Sequence, residues 1–203
     1  MMFKFFEEKR PHNGMTYDEY KSYFESKINS ELPAKADDAA KEIHEYTKLN
    51  YQRSQRIEKS YNVSDELKAA VKSAKEKQLW MVITEAWCGD SAQTLPYIGK
   101  IASHNTGIDL RILLRDENPD IMDLYLTNGT RSIPKLVAFD EEGNELFTWG
   151  PRPKEAQKLI NQWKSEGIVK PELYEKLHLW YGRNRGRELE EEFLEIFSNV
   201  EQS

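Results

Sequence analysis

The chain has 203 residues, of which 38% are hydrophobic and 32% are charged, and its formal net charge is −6. This length accommodates one well-packed domain with extensions, and the negative charge argues against nucleic acid or an anionic membrane as a partner. No apolar run is long enough for a membrane span or a secretory signal, and a single cysteine favours a reducing cytoplasm.

The first part of the chain, residues 1–78, is predicted to form a helical extension. Thr16 and Glu19 have the spacing of a capping box and predict the start of a helix. A longer helix is predicted over about 36–59 and a third over about 65–78. The apolar anchors of the longer helix are Ile43, Tyr46 and Ile57.

The pattern changes at residue 79, where strands begin to alternate with helices. The predicted elements are strand 79–84, helix 92–103, strand 108–114, helix 118–126, strands 135–139 and 145–149, and helix 154–165. Two parallel-type crossovers followed by a hairpin imply an α/β fold. In it, a mixed sheet is flanked by helices on both faces.

Residues 168–203 are predicted to form a second helical extension, so the central α/β domain covers 79–167. This extension contains helices at about 171–181 and 188–197, joined by the basic segment Arg183-Asn184-Arg185-Gly186-Arg187. The arginines are able to bind phosphate or an acidic partner. The favoured interpretation is a solvated loop that pairs with Glu190–Glu192.

The motif Trp87-Cys88-Gly89-Asp90-Ser91 follows the first strand and carries the only cysteine. A cysteine between a strand and a helix lies at the amino end of that helix, where free N–H groups and the dipole favour a thiolate. The thiolate is the reactive form in disulfide exchange. We expect this sulfur to be presented to solvent.

This order of elements, with a Trp-Cys-Gly turn after the first strand, resembles the thioredoxin superfamily. Four further features lie in register with it: Pro96 in the next helix, Asp116-Glu117-Asn118-Pro119 after the second strand, Ile133-Pro134 before the hairpin, and Gly150 after it. The resemblance covers 79–167 and implies a thioredoxin-like sheet with a cis peptide bond at Pro134. The helical ends are similar, more loosely, to those of a bacterial thioredoxin-like family of unassigned substrate.

Two departures from the thioredoxin pattern affect the implied chemistry. Ser91 stands where thioredoxins carry a second, resolving cysteine, and a serine hydroxyl cannot release a mixed disulfide. Val82 stands where thioredoxins bury an acid in the first strand; Glu85 is near, but need not substitute for it.

Asp90 is expected to oppose the thiolate at Cys88. The helix terminus contributes about 0.3–1 kcal/mol in its favour. A carboxylate roughly 6–7 Å away repels it by about 2–3 kcal/mol at an effective dielectric of about 20. We therefore expect the pKa of Cys88 to be less depressed than that of a thioredoxin nucleophile. Asp90 also has a simpler interpretation as a charge that complements the helix start.

The resemblance implies a single-cysteine thiol–disulfide oxidoreductase in which Cys88 is the nucleophile and Ser91 supports its thiolate. The expected substrate-binding residues are Trp87, Gly89, Asp90, Ile133 and Pro134. An external thiol such as glutathione would resolve the mixed disulfide, so the expected partners are a protein disulfide or a low-molecular-weight thiol. The alternative is a non-catalytic module that binds proteins or peptides in the same groove.

Cys-Gly-Asp-Ser is also similar to the Cys-Gly-Phe-Ser turn of monothiol glutaredoxins, which bridge an iron–sulfur cluster between two chains. Trp87 and the lack of a Gly-Gly turn after Pro134 favour the resemblance to thioredoxins over that to monothiol glutaredoxins. No metal site or cofactor is predicted, because the histidines share no ligand spacing. They are His12, His44, His104 and His178.

Overall fold

The computed structural model describes residues 3–74 and 77–200. The helices are α1 (Lys4–Glu7), α2 (Tyr17–Asn29), α3 (Asp38–Ser60), α4 (Asp65–Ser73), α5 (Gly89–Ala102), α6 (Pro119–Met122), α7 (Lys154–Ser165), α8 (Lys170–Asn184) and α9 (Arg187–Val200). The strands are β1 (Gln78–Thr84), β2 (Ile108–Leu114), β3 (Lys135–Phe139) and β4 (Glu145–Trp149).

The four strands form one mixed sheet in the order β2-β1-β3-β4. β1 runs parallel to β2 and antiparallel to β3, and β3 pairs antiparallel with β4. The predicted α/β fold, a thioredoxin-like mixed sheet flanked by helices with helical extensions at both ends, is confirmed. The predicted second parallel crossover is wrong, because the connection through α6 brings β3 back antiparallel to β1.

Both faces of the sheet are buried, which explains the unbroken apolar run of β1. Alternation along the strand sends Trp80 and Val82 into a core shared with α2, α4, α5 and α9. Met81 and Ile83 point to the opposite face, where they meet residues of α1 and α6. Helix α1 therefore packs on one face of the sheet, and α2, α4 and α9 pack on the other.

The helices predicted for the amino-terminal extension are confirmed only in part. The capping box of Thr16 and Glu19 is present at the start of α2. Ile57 is buried in α3, but the prediction that Ile43 anchors this helix is wrong, since Ile43 is 55% exposed. α4 ends at Ser73 rather than near Gln78, which already belongs to β1. Residues 75–76 of the predicted helix lie outside the described residues.

The carboxy-terminal extension returns to the sheet and to its neighbours. α8 packs on α7 through a separate small apolar cluster that includes Ile160 and Leu177. α9 buries Phe193 and Phe197 beside Trp80, with ring centroids 5.7 and 6.2 Å from the indole. α8 also lies against the amino end of α5, beside Gly89. Helix α3 packs on α5 as well.

Candidate active site

Cys88 lies at the junction of β1 and α5, as the sequence predicts. Its N–H donates to the Glu85 carbonyl at 3.0 Å, and the residue is itself the N-cap of α5. Its sulfur accepts a hydrogen bond from the Ser91 N–H at 3.5 Å. The helix begins at Gly89 rather than at the predicted Ala92, because the cysteine takes the capping position.

The loop before β3 lies directly beside this sulfur. The Ile133–Pro134 peptide bond is cis, so this prediction is confirmed. The Cys88 thiol donates to the Ile133 carbonyl at 3.3 Å. Gly150 closes the hairpin against the same loop, since a Cβ added to it would lie 2.3 Å from the Pro134 carbonyl oxygen. That close approach is the physical reason for glycine at this position.

The expectation that the sulfur is presented to solvent is wrong, because Cys88 is only 7% exposed. Helices α3 and α8 pack over the Cys88–Ser91 turn. A Cβ added to Gly89 would lie 2.5 Å from the hydroxyl oxygen of Tyr46 and 3.1 Å from a ring carbon of His178. The turn is therefore covered by one helix from each extension.

Burial raises the pKa of Cys88 to about 11, and the negative charge of Asp90 acts in the same direction. The Ser91 hydroxyl and the N–H groups of Ser91 and Asp90 favour the thiolate and oppose this rise. The same hydroxyl accepts a hydrogen bond from Thr84 Oγ1 at 2.5 Å, which fixes its oxygen beside the turn. At neutral pH Cys88 is thus a thiol.

Asp90 forms an ion pair below the surface instead of standing free at the helix start. Its Oδ2 accepts from Nη2 and Nε of Arg152 at 2.5 and 3.1 Å. Its Oδ1 accepts from the Tyr181 hydroxyl at 2.7 Å. Arg152 also donates to Gln157 at 2.8 Å. Asp90 is therefore a structural centre that joins α5, the loop before α7, and α8.

Neither partner of Asp90 is among the residues predicted from sequence. Arg152 lies between Pro151 and Pro153, and the Gly150–Pro151 bond is a second cis peptide. The Gly-Pro-Arg-Pro run beside the hairpin is a signal for a shaped loop. Nothing in the sequence near Tyr181 indicates contact with a residue so distant along the chain.

Trp87 is half-buried, and contacts from two directions hold it. Its carbonyl accepts from the Asn50 side chain of α3 at 3.0 Å. The Arg115 guanidinium lies over its ring, 4.8 Å from the centroid. Asn50 is itself held by Arg53 at 2.7 Å. The ring flanks the Cys88 turn, and the adjoining backbone is fixed by α3.

His178 of α8, which the scattered histidine pattern does not single out, lies against the same turn. Its Nε2 pairs with the Tyr46 hydroxyl at 2.8 Å, and its Nδ1 pairs with Gln93 at 3.2 Å. Burial and, to a smaller degree, the charge of Arg53 lower the pKa of His178 to about 3. The imidazole is neutral at pH 7.

Val82 is fully buried in β1, in the place where thioredoxins carry an acid. Glu85 is buried too, and burial raises its pKa. Its carboxylate accepts from the Asp116 N–H at 2.9 Å and so holds the turn that follows β2. Glu85 therefore has a structural role at the edge of the sheet.

Within residues 3–74 and 77–200, no helix is long and apolar enough to cross a bilayer. No group of three or more His, Cys, Asp and Glu side chains there has the arrangement of a metal site.

Comparisons with known proteins support the fold and assign a family. The crystal structure of a protein of unknown function from Pseudomonas aeruginosa matches with a TM-score of 0.58 at 17% identity, covering 92% of this chain and 99% of that one. An HIV epitope scaffold matches with a TM-score of 0.55 at 17% identity, covering 91% and 99% of the two chains. No curated protein matches significantly. The family described as thioredoxin matches residues 36–164. Since that match spans more than half of the sequence, this chain belongs to the thioredoxin family.

Proposed function

We propose that this protein is a single-cysteine thiol–disulfide oxidoreductase that acts at Cys88. The observation that carries the proposal is the position of the sulfur. It caps α5 and lies 3.3 Å from the carbonyl that precedes Pro134. In this arrangement the N–H groups at the helix terminus act in favour of a thiolate and oppose the effect of burial. The loop before β3 places the Ile133 carbonyl directly beside the sulfur.

The proposed reaction is an exchange of disulfides with no net oxidation of the protein. The Cys88 thiol loses its proton, and the thiolate attacks one sulfur of a substrate disulfide. An S–S bond forms to Cys88 while the substrate S–S bond breaks and its second sulfur leaves as a thiolate. An external low-molecular-weight thiolate then attacks the substrate sulfur of the mixed disulfide, takes that sulfur into a new disulfide, and releases the Cys88 thiolate.

The cover over the turn narrows the choice of substrate. With a pKa of about 11, only about one Cys88 in ten thousand is a thiolate at pH 7. Tyr46 and His178 lie against Gly89, beside the sulfur. A disulfide in a folded protein cannot reach the Cys88 sulfur unless α3 or α8 is displaced. A small disulfide needs less displacement and is the favoured class of substrate, provided that its thiol differs from the external thiol that resolves the mixed disulfide.

A second function, a non-catalytic binding module of the same fold, is favoured by a different observation. Ser91 cannot resolve a mixed disulfide, and burial keeps Cys88 in its thiol form. In that case the groove beside Ile133 and Pro134 would bind a peptide without turnover.

A mass spectrum after exposure to oxidised glutathione tests the two functions. The folded protein should gain one glutathione, about tenfold faster at pH 8.5 than at pH 7.5 because the thiolate fraction grows tenfold. Cys88→Ser should gain none. Protein unfolded in urea serves as the positive control. An adduct on the unfolded chain, with none on the folded chain even at pH 9, would favour the binding module.

A further inference from the structure

A cavity that has no role in the proposed thiol chemistry is lined in part by Tyr181 and Gly182 of α8. It encloses about 650 Å³ between α3, α5, α8 and the start of α9. Its charged and aromatic lining residues are Arg56, Tyr61, Tyr97, Tyr181, Arg185, Arg187 and Glu190. Cavities of this volume are typical of sites for small molecules.

Within residues 3–74 and 77–200, the arginines of this cavity have no acidic partner. The basic segment is solvated as expected, because Arg183, Arg185 and Arg187 are exposed. The expected pairing with Glu190–Glu192 is wrong, because Glu190 and Glu192 accept hydrogen bonds from other donors. Glu190 accepts from the Tyr61 hydroxyl at 2.5 Å and from the Ser64 N–H at 3.0 Å. Glu192 accepts from Trp149 and from the Lys154 N–H. Across residues 3–74 and 77–200, no ion pair or hydrogen bond engages the guanidinium groups of Arg56, Arg185 or Arg187.

The backbone holds two of these arginines at the rim in a fixed turn. Arg185 has φ 54° and Gly186 has φ 84°, so the segment between α8 and α9 reverses through left-handed conformations. A Cβ added to Gly186 would lie 2.2 Å from the Tyr97 ring. The glycine therefore lets the turn rest directly on that ring, and Arg185 and Arg187 flank it.

Tyrosine rings form the inner wall of the cavity. Tyr61 and Tyr97 meet edge to face with centroids 4.4 Å apart. Within the described ranges, no hydrogen bond engages the Tyr97 hydroxyl. Burial raises the pKa of Tyr97, whereas the charges of Arg56 and Arg185 oppose that rise, which is consistent with both guanidinium groups lying near the hydroxyl.

We propose that this cavity binds a small organic anion, with its phosphate or carboxylate group held by Arg56, Arg185 and Arg187 and its apolar body against Tyr61 and Tyr97. Guanidinium groups pair with the oxygens of both anionic groups in the same forked geometry. Three guanidinium groups face one carboxylate, that of Glu190, which already accepts two hydrogen bonds. The cavity is thus positive on a chain whose net charge is −6.

Calorimetric titration of the full chain at low salt with inorganic phosphate, adenosine monophosphate and citrate tests this site. We expect saturable one-to-one binding of at least one probe. The double variant Arg185→Gln/Arg187→Gln should weaken that binding at least about tenfold. Arg183→Gln is the matched control, because Arg183 belongs to the same segment and is exposed like Arg185 and Arg187, but does not line the cavity. It should change the affinity less than about twofold.

The probes also separate the sources of the anion. Binding of phosphate and adenosine monophosphate with none of citrate would support a phosphorylated ligand, and the reverse would support a carboxylate. Absence of binding for all three probes up to roughly 10 mM would overturn the proposal. Equal weakening by Arg183→Gln would also overturn it, since general charge attraction would then explain the data. Cys88→Ser should bind as the wild type does, so this result is independent of the thiol chemistry.

Discussion

Asp90 has two roles at the residue scale, and they act against each other in the proposed chemistry. Its carboxylate joins Arg152 and Tyr181 in one network. Its charge also raises the pKa of Cys88, two residues earlier in the chain. The residue therefore stabilises the fold at the cost of thiolate formation.

We predict that Asp90→Asn makes Cys88 more acidic while it destabilises the protein. Loss of the carboxylate charge removes the repulsion, so the alkylation rate of Cys88 at pH 7.5 should rise about three- to tenfold. The free energy of unfolding should fall by about 3 kcal/mol, because Arg152 loses its buried counter-charge. Iodoacetamide kinetics from pH 7 to 10 and urea unfolding measure the two effects.

Tyr181→Phe is the matched control for this prediction. It removes one hydrogen bond to Asp90 but no charge, so it should cost about 1 kcal/mol and leave the midpoint of the Cys88 titration in place. A variant that merely loosens the site would raise the alkylation rate equally at every pH. Such a uniform rise in Asp90→Asn would contradict the electrostatic explanation.

The sequence predicts the contents of the Cys88 site better than its exposure. The motif and its register place Cys88 beside Pro134, with Gly150 behind the loop, because these features depend on one local fold pattern. The burial of the sulfur depends on Tyr46 and His178, which come from the two helical extensions. No periodicity or spacing in a single sequence links residues that far apart.

At the scale of elements, the decisive contact joins the amino end of α5 to α3 and α8. Gly89 leaves the space for it, as an added Cβ would lie 2.5 Å from the Tyr46 hydroxyl. Gly182 lies inside α8, and a Cβ added there would have no neighbour within 4 Å. The two glycines therefore offer a matched pair of substitutions.

Gly89→Ala should destabilise the protein by about 1–2 kcal/mol and increase alkylation of Cys88, because the methyl group pushes Tyr46 away from His178. Gly182→Ala should instead stabilise it by about 0.5–1 kcal/mol, since alanine is the better helix former. Urea unfolding and iodoacetamide kinetics on both variants check this. Slower alkylation in Gly89→Ala than in the wild type would show that α3 and α8 do not limit access.

His178 makes this same contact sensitive to acid. The pKa of the imidazole is about 3 in the folded chain, compared with about 6.5 when unfolded. Below pH 6.5 the unfolded chain binds a proton that the folded chain does not, so this group lowers stability as the pH falls toward 3. The neighbours that face it are Tyr46, Gln93 and Arg53, and none carries a negative charge at these pH values.

We predict that His178→Gln reduces the acid sensitivity of folding. Between pH 7.5 and pH 5 the wild type should lose about 1–2 kcal/mol more than the variant, since glutamine has no proton to gain and its amide can still pair with Tyr46 and Gln93. Urea unfolding at both pH values measures the difference. Parallel losses in the two proteins would show that the imidazole is not kept neutral by the fold.

Element boundaries follow from sequence where the signal is local. The capping box fixes the start of α2, and the hairpin between β3 and β4 follows its turn residues. The predicted helix at 118–126 is shorter in the structure, with a 3-10 turn at Arg115–Glu117 and then α6. Asn118 lies between these two helices, and its backbone angles are not helical. The spacing of apolar residues in the sequence does not reveal such a break.

At the scale of the whole molecule, the extensions complete the core of the sheet. α9 packs on α4. The ring centroid of Phe193 lies 5.7 Å from that of Trp80 and 6.0 Å from that of Trp149. The family match begins at residue 36, inside the first extension. The division of the chain into residues 1–78, 79–167 and 168–203 therefore remains a proposal. We also propose that these three parts unfold together.

Phe193→Ala tests this cooperativity. The side chain is fully buried between α9 and the sheet, so its truncation should lower the free energy of unfolding by about 3–5 kcal/mol. Val169→Ala, at an exposed position of the same extension, should change it by less than about 0.5 kcal/mol. Far-UV circular dichroism and tryptophan fluorescence should move to the same lower urea midpoint in Phe193→Ala, because one transition involves the whole chain. A separate early loss of helical signal, with the fluorescence midpoint unchanged, would mean that the carboxy-terminal helices fold independently of the sheet.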